Sequence, residues 1–181
     1  MAELVPDEVT EESLQLPLTG LAGVLDKLVT WWGLAGGLVF CAIVLMSIVS
    51  IVGRKLFATP IEGDMELLMM GAAMGSAAFL PLCEMHDHHI KVDALTTWMN
   101  ERARSTLDAL AHCLLMLASA VICWRSMLYT LEAHENTEVS TLLLIPLWQP
   151  LAVLVPSFAL LTLAAFYRMS VSMKTVSGVA K

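Results

Sequence analysis

Four long stretches with almost no charge set the terms for this chain. No charged side chain lies between Lys27 and Arg54, from Leu67 to Cys83, or from Val139 to Tyr167, and Ala109 to Leu131 carries only His112 and Arg125. A helix needs about 20 apolar residues to cross the hydrocarbon core of a bilayer. Each stretch meets or nearly meets that length. Four of them in 181 residues leave too little polar surface for a soluble fold. The expectation is an all-α integral membrane protein: a four-transmembrane-helix bundle with amphipathic interfacial segments and spans near 31–52, 65–82, 107–131 and 148–167.

The segments between the spans are short. Glu3, Asp7, Glu8, Glu11 and Glu12 crowd the first 17 residues, which read as an acidic, solvated tail. That tail lacks the basic start of a secretory signal. Leu18, Leu21, Leu25, Leu28 and Trp32 recur at helical spacing and predict a short interfacial helix leading into the first span. Trp31 and Trp32 are placed at the headgroup level, where indoles are favoured. Val92, Leu95, Trp98 and Met99 predict a second surface helix within a polar connector running from Glu84 to about Arg104. Pro156 is expected to kink the fourth span.

Basic residues set the orientation. With the N-terminus cytoplasmic, that side holds Lys27, Lys91, Arg102, Arg104, Arg168, Lys174 and Lys181, and the other holds only Arg54 and Lys55. The positive-inside rule then puts both termini in the cytoplasm. Carboxylates at Glu62, Asp64, Glu66, Glu132, Glu135 and Glu138 make the opposite face acidic. Nothing in the charge pattern suggests nucleic acid.

Within the spans, Gly71, Gly75 and Ala78 fall on one helical face. Lipid supplies little hydrophobic drive between helices, so small residues that admit close backbone approach mark a helix–helix seam. Gly33 and Gly37 form a similar pair. Arg125 is close enough to the end of its span to snorkel, or to pair with a loop carboxylate. His112 is read as an interhelical donor. Arg54 and Glu66, together with Lys55, Glu62 and Asp64, flank the first loop, where a cross-loop ion pair would hold its shape. Cys41, Cys83, Cys113 and Cys123 form no CxxC pair and read as inert buried thiols. Few polar groups lie deep in the spans. A self-sufficient carrier needs such groups near the midplane, so the chain is not expected to bind cargo alone.

The stretch from Cys83 to Asp93 holds His86, His88 and His89 with Glu84, Asp87 and Asp93, residue types that can ligate a transition metal. The competing reading is structural, with His89 and Asp93 hydrogen-bonding at the loop. Two functional alternatives stay open from the residues alone: a four-helix metal or redox protein using this cluster, and an independent small channel.

Three motifs in order carry a resemblance. Arg54, Pro60-Ile61 and Gly63-Asp64-Met65-Glu66-Leu67 come first, then His89-Ile90-Lys91-Val92-Asp93, then Ile145-Pro146-Leu147-Trp148. This pattern, over residues 30 to 168, resembles the small membrane subunit of TRAP (tripartite ATP-independent periplasmic) transporters. An aromatic often follows the Pro-Ile pair in that family; here Glu62-Gly63 stands instead. The resemblance implies a non-catalytic scaffold in a bacterial inner membrane, without cofactor or metal. It also implies a sodium-coupled importer of a carboxylate-bearing solute, with a large membrane subunit and a periplasmic solute-binding protein as partners alongside membrane lipid. The motifs give Arg54, Pro60, Glu66, His89, Asp93, Pro146 and Trp148 structural or interface roles, and the reading of the spans adds Gly71, Gly75 and Arg125. None is a catalytic or substrate-binding residue.

Overall fold

The computed structural model describes residues 20–57, 61–86 and 101–179. They form four helices: α1 (Leu21–Phe57), α2 (Asp64–Met85), α3 (Glu101–Glu135) and α4 (Trp148–Val179). Among the described residues no strand forms; an isolated bridge joins Val139 and Pro146. All four helices are long and apolar enough to cross a membrane: Ala22–Phe57, Asp64–Met85, Thr106–Glu135 and Trp148–Met173. The acidic tail, Pro60, His88, His89, Asp93 and the Val92–Met99 stretch lie outside the described residues.

The helices exceed the predicted spans. α1 has 37 residues and is about 55 Å long at 1.5 Å per residue. The Leu21–Trp32 stretch is its first three turns and not a separate helix: α1 continues through Gly33, Gly36 and Gly37 into the span. α4 likewise runs unbroken through Pro156. The α1–α2 and α3–α4 connections share one end of the bundle, here called distal. The proximal end receives the start of α1, the end of α2 and the start of α3.

Neighbours pack in the order α1, α2, α4, α3, with a lighter contact between α1 and α4. The seams repeat every 3.5 residues on average. On α1 the buried positions Val29, Gly36, Ile43 and Ser50 are seven apart, and on α2 Gly71, Gly75 and Ala78 follow at four and three. His112, Ser119 and Ala133 share such a register on α3, as do Ser157, Leu161 and Ala164 on α4. That period keeps one face turned to its partner at a shallow left-handed crossing. The seam residues are mostly Gly, Ala and Ser, so the backbones approach closely. A Cβ on Gly36 would stand 2.7 Å from the Ala78 Cβ, and one on Gly75 2.6 Å from Phe40 Cδ2. Gly71 meets Ile43 in the same way. Gly33 and Gly36 are the buried glycines of α1, and Gly37 stands at the rim.

Outside the seams, large apolar side chains face outward. Trp31, Leu34, Leu38 and Leu45 on α1 are each more than 60% exposed. Cys41 is also exposed, and the other three cysteines are half-buried. Those exposed residues correct the expectation of four buried thiols: a helix face turned to lipid is buried by the bilayer, not by protein.

Candidate functional site

The polar groups gather at the two ends of the bundle. At the distal end the last turn of α1 and the first of α2 meet through Asp64. Its Oδ2 accepts from Ser50 Oγ at 2.6 Å and from Arg54 Nη2 at 3.2 Å, and its Oδ1 accepts from the Met65 amide at 2.8 Å. Ser50 is almost fully buried. The cross-loop ion pair expected of this loop is thus made by Arg54 and Asp64. Asp64 opens α2, where an acidic side chain also suits the helix dipole.

Glu66 turns the other way. Its carboxylate accepts from Ser140 Oγ at 2.9 Å and from three successive backbone amides, Thr141 at 2.7 Å, Leu142 at 3.0 Å and Leu143 at 3.1 Å. Consecutive N–H groups curled around an anion form a nest, and here the anion belongs to the chain. The connector is shaped for this. Ser140 N donates to Ile145 O, Leu147 N donates to Glu138 O, and Leu144 takes a left-handed φ of 53°. A leucine there is strained, and the Glu66 bonds and the Val139–Pro146 bridge hold the surrounding backbone in place. Gly63 completes the fit for two reasons. Its φ is 74°, and a Cβ there would lie 2.5 Å from Leu143 Cγ. The Glu62-Gly63 departure noted in the sequence therefore provides the seat on which the α3–α4 connector rests. Trp148 opens α4, with His134 edge-on to its indole at 5.3 Å.

The proximal end holds a pair that overturns the reading of an almost apolar interior. Glu84 is not in a connector; it lies in the last turns of α2 and is 1% exposed. Its Oε1 lies 2.6 Å from His112 Nδ1 on α3. α2 and α3 are not backbone neighbours, so these two side chains bridge them directly. Nearby, His86 Nε2 lies 3.3 Å from Asp26 Oδ1 on α1. The distance suits an ion pair, although the alignment falls short of a hydrogen bond. His86 thereby has a partner on α1. Among the described residues, no three His, Cys, Asp or Glu side chains are grouped to hold a metal.

Between the ends, smaller polar links cross the seams. Trp32 Nε1 donates to Ser157 Oγ at 2.9 Å, joining α1 to α4. Thr162 Oγ1 donates to Ser119 Oγ at 3.0 Å, joining α4 to α3. Trp32 is thus half-buried against α4, and Trp31 is the exposed indole of the pair. Arg125 is exposed on α3 and forms no ion pair among the described residues, so the predicted pairing with a loop carboxylate is not made.

The structure brings Arg54, Gly63, Asp64, Glu66 and the 138–147 connector into one distal assembly, and places Gly71 and Gly75 in the α1–α2 seam. A profile of the family described as tripartite ATP-independent periplasmic transporters, DctQ component, matches residues 43–175. The chain belongs to the DctQ family. The match runs from the middle of α1 to the last turns of α4 and so includes the distal assembly and the Glu84–His112 pair. No curated protein and no solved structure matches the chain. This DctQ chain is therefore the small membrane component of a TRAP transporter, with four helices suited to crossing a membrane. Sequence reasoning expected a cross-loop ion pair and an interhelical role for His112, and both are present; it missed Ser50, Ser140, the connector amides on Glu66 and the burial of Glu84. The seven-residue spacing of His112, Ser119 and Ala133 was the available signal for the buried face of α3.

Proposed function

We propose that this DctQ chain is the fixed, non-catalytic support of a sodium-coupled importer. In this reading a periplasmic binding protein delivers a carboxylate-bearing solute, and a large membrane subunit carries solute and sodium. The complex lies in the bacterial inner membrane with both termini of this chain in the cytoplasm, as the distribution of basic residues favours. The acidic distal face, with Glu62, Glu132 and Glu135 exposed, is the side on which the binding protein docks.

The observation that carries the reading is the Glu66 clasp. One carboxylate on α2 holds three amides and a hydroxyl of the α3–α4 connector, so the two helical hairpins end in one body. A support needs such rigidity, and the exposed apolar flank of α1 offers a face for a membrane partner.

Affinity purification of the tagged chain from native membranes in mild detergent tests this. A stoichiometric large polytopic partner is the expected result, together with no uptake by the chain alone in liposomes. A chain that stays alone under several gentle conditions, or that transports by itself, would sink the support reading in favour of an independent channel.

A further inference from the structure

On the outer flank of α3, near the distal end, lies a recess of about 240 Å³ lined by Arg125, Ser126, Leu128, Tyr129, Glu132 and, from α4, Leu151. A cation sits at one end and a carboxylate at the other. Arg125 and Glu132 are two turns apart on one helix face, about 10 Å along the axis. They make no ion pair with each other or with any described residue. Tyr129 stands between them, and its hydroxyl donates to Glu138 Oε2 at 3.5 Å.

Position decides what such a recess suits. Glu132, His134 and Glu135 mark the charged end of α3, and Val121, Ile122 and Trp124 on the other side of Arg125 are exposed and apolar. Arg125 therefore lies where a spanning helix passes from hydrocarbon to headgroups. A guanidinium there needs an anion, and phosphate is the anion of that layer. An acidic phospholipid would answer Arg125 but meet repulsion from Glu132. A headgroup with its own cation answers both charges.

We propose that this recess binds the headgroup of a zwitterionic aminophospholipid, the phosphate on Arg125 and the primary ammonium on Glu132. The acyl chains lie along the apolar flank toward Val121 and Ile122. The Tyr129 ring forms the wall at the water boundary, a place that suits its amphipathic character. The proposal is independent of the transported solute.

The test uses the chain purified with its native membrane partners, delipidated in detergent and reloaded with one lipid at a time, with bound lipid read by native mass spectrometry. Phosphatidylethanolamine should be retained in preference to phosphatidylcholine, whose quaternary amine cannot donate, and to phosphatidylglycerol, which has no amine. Arg125→Gln should lower retention of phosphatidylethanolamine about tenfold, the loss of one charge-assisted contact, and Arg125→Lys should restore most of it. Glu132→Gln should abolish the preference over phosphatidylcholine while leaving phosphate binding in place. Soluble phosphoethanolamine should leave no bound mass at the same concentration; binding as tight as the lipid would assign the recess to a soluble ester and overturn the proposal. Equal retention of the three lipids, unchanged by either variant, would overturn it too, as would cross-linking of Arg125 to a partner protein with no lipid retained.

Discussion

Gly36→Ala puts one methyl group where α1 and α2 come closest. The new Cβ would stand 2.7 Å from the Ala78 Cβ and 3.2 Å from the Gly75 carbonyl oxygen. Carbon atoms in good contact stay about 3.5–4.0 Å apart, so the helices must part by roughly 1 Å along part of their seam. Neither opposing atom can swing away, because one is fixed to the backbone and the other belongs to it. Overpacking of this kind costs about 1–3 kcal/mol. Alanine's better helix propensity returns at most about 1 kcal/mol. The net expectation is destabilisation by about 1–2 kcal/mol, a five- to thirtyfold fall in the folded ratio. Denaturant titration in mixed micelles reads it, and Ala78→Gly supplies the control. If the clash is the cause, the double variant should recover most of the loss, with a coupling of about 1 kcal/mol. Gly37→Ala meets only the tip of the Phe79 ring, at 3.3 Å, and should cost less than Gly36→Ala. A neutral Gly36→Ala, or no coupling with Ala78→Gly, would refute the claim that this seam is closed by backbone approach.

Glu66→Gln should loosen the α3–α4 connector without unfolding the bundle. Amide exchange at Thr141, Leu142 and Leu143 should rise while exchange in the middle of α4 stays unchanged, and unchanged protection at all three would show that the carboxylate does not hold them. His112→Leu removes the donor 2.6 Å from a buried carboxylate and should destabilise by on the order of 2–3 kcal/mol; His112→Gln, which keeps a donor, should lose less in the same titration. Trp32→Phe deletes the indole N–H that reaches Ser157 and should cost about 1 kcal/mol, an effect that disappears when Ser157→Ala is already present.

The spans were legible because lipid imposes a simple rule: a charge-free run of the right length must be a helix. The α2 face was legible for a related reason, since Gly71, Gly75 and Ala78 leave no side chain to hold helices apart. Polar partnerships were not legible. Arg54, Asp64 and Glu66 lie within twelve residues of one another, so nearness suggested a cross-loop ion pair without choosing its carboxylate. The shape of the first loop gives Arg54 to Asp64, leaving Glu66 free to face a connector 74 to 77 residues further on. Glu84 was taken for a loop residue because a histidine-rich polar run follows it. α2 carries on to Met85 and takes Glu84 inside the protein before that run begins. Pairing in three dimensions decided each case; one-dimensional spacing can mark a buried face but does not name the partner.

The same partnerships bear on whether the bundle can move. α1 with α2 and α3 with α4 form two hairpins that meet through α2 and α4. Small-residue packing alone would let one hairpin slide on the other, because lipid tails contact an apolar helix face about as well as a neighbouring helix does. Sliding here meets resistance at both ends. It would pull the connector's amides off Glu66 at the distal end and draw Glu84 away from His112 at the proximal end. Glu84 is 1% exposed, so drawing it from its partner would leave a buried polar group unpaired, which is costly. Two such clasps at opposite ends resist tilt as well as translation, which a single hinge-like contact would not. Releasing one clasp should therefore leave the other holding, and amide exchange in Glu66→Gln combined with His112→Leu should exceed the sum of the two single effects along the α2–α4 seam. Simple additivity there would mean that the clasps act locally and that the stiffness comes from the seam.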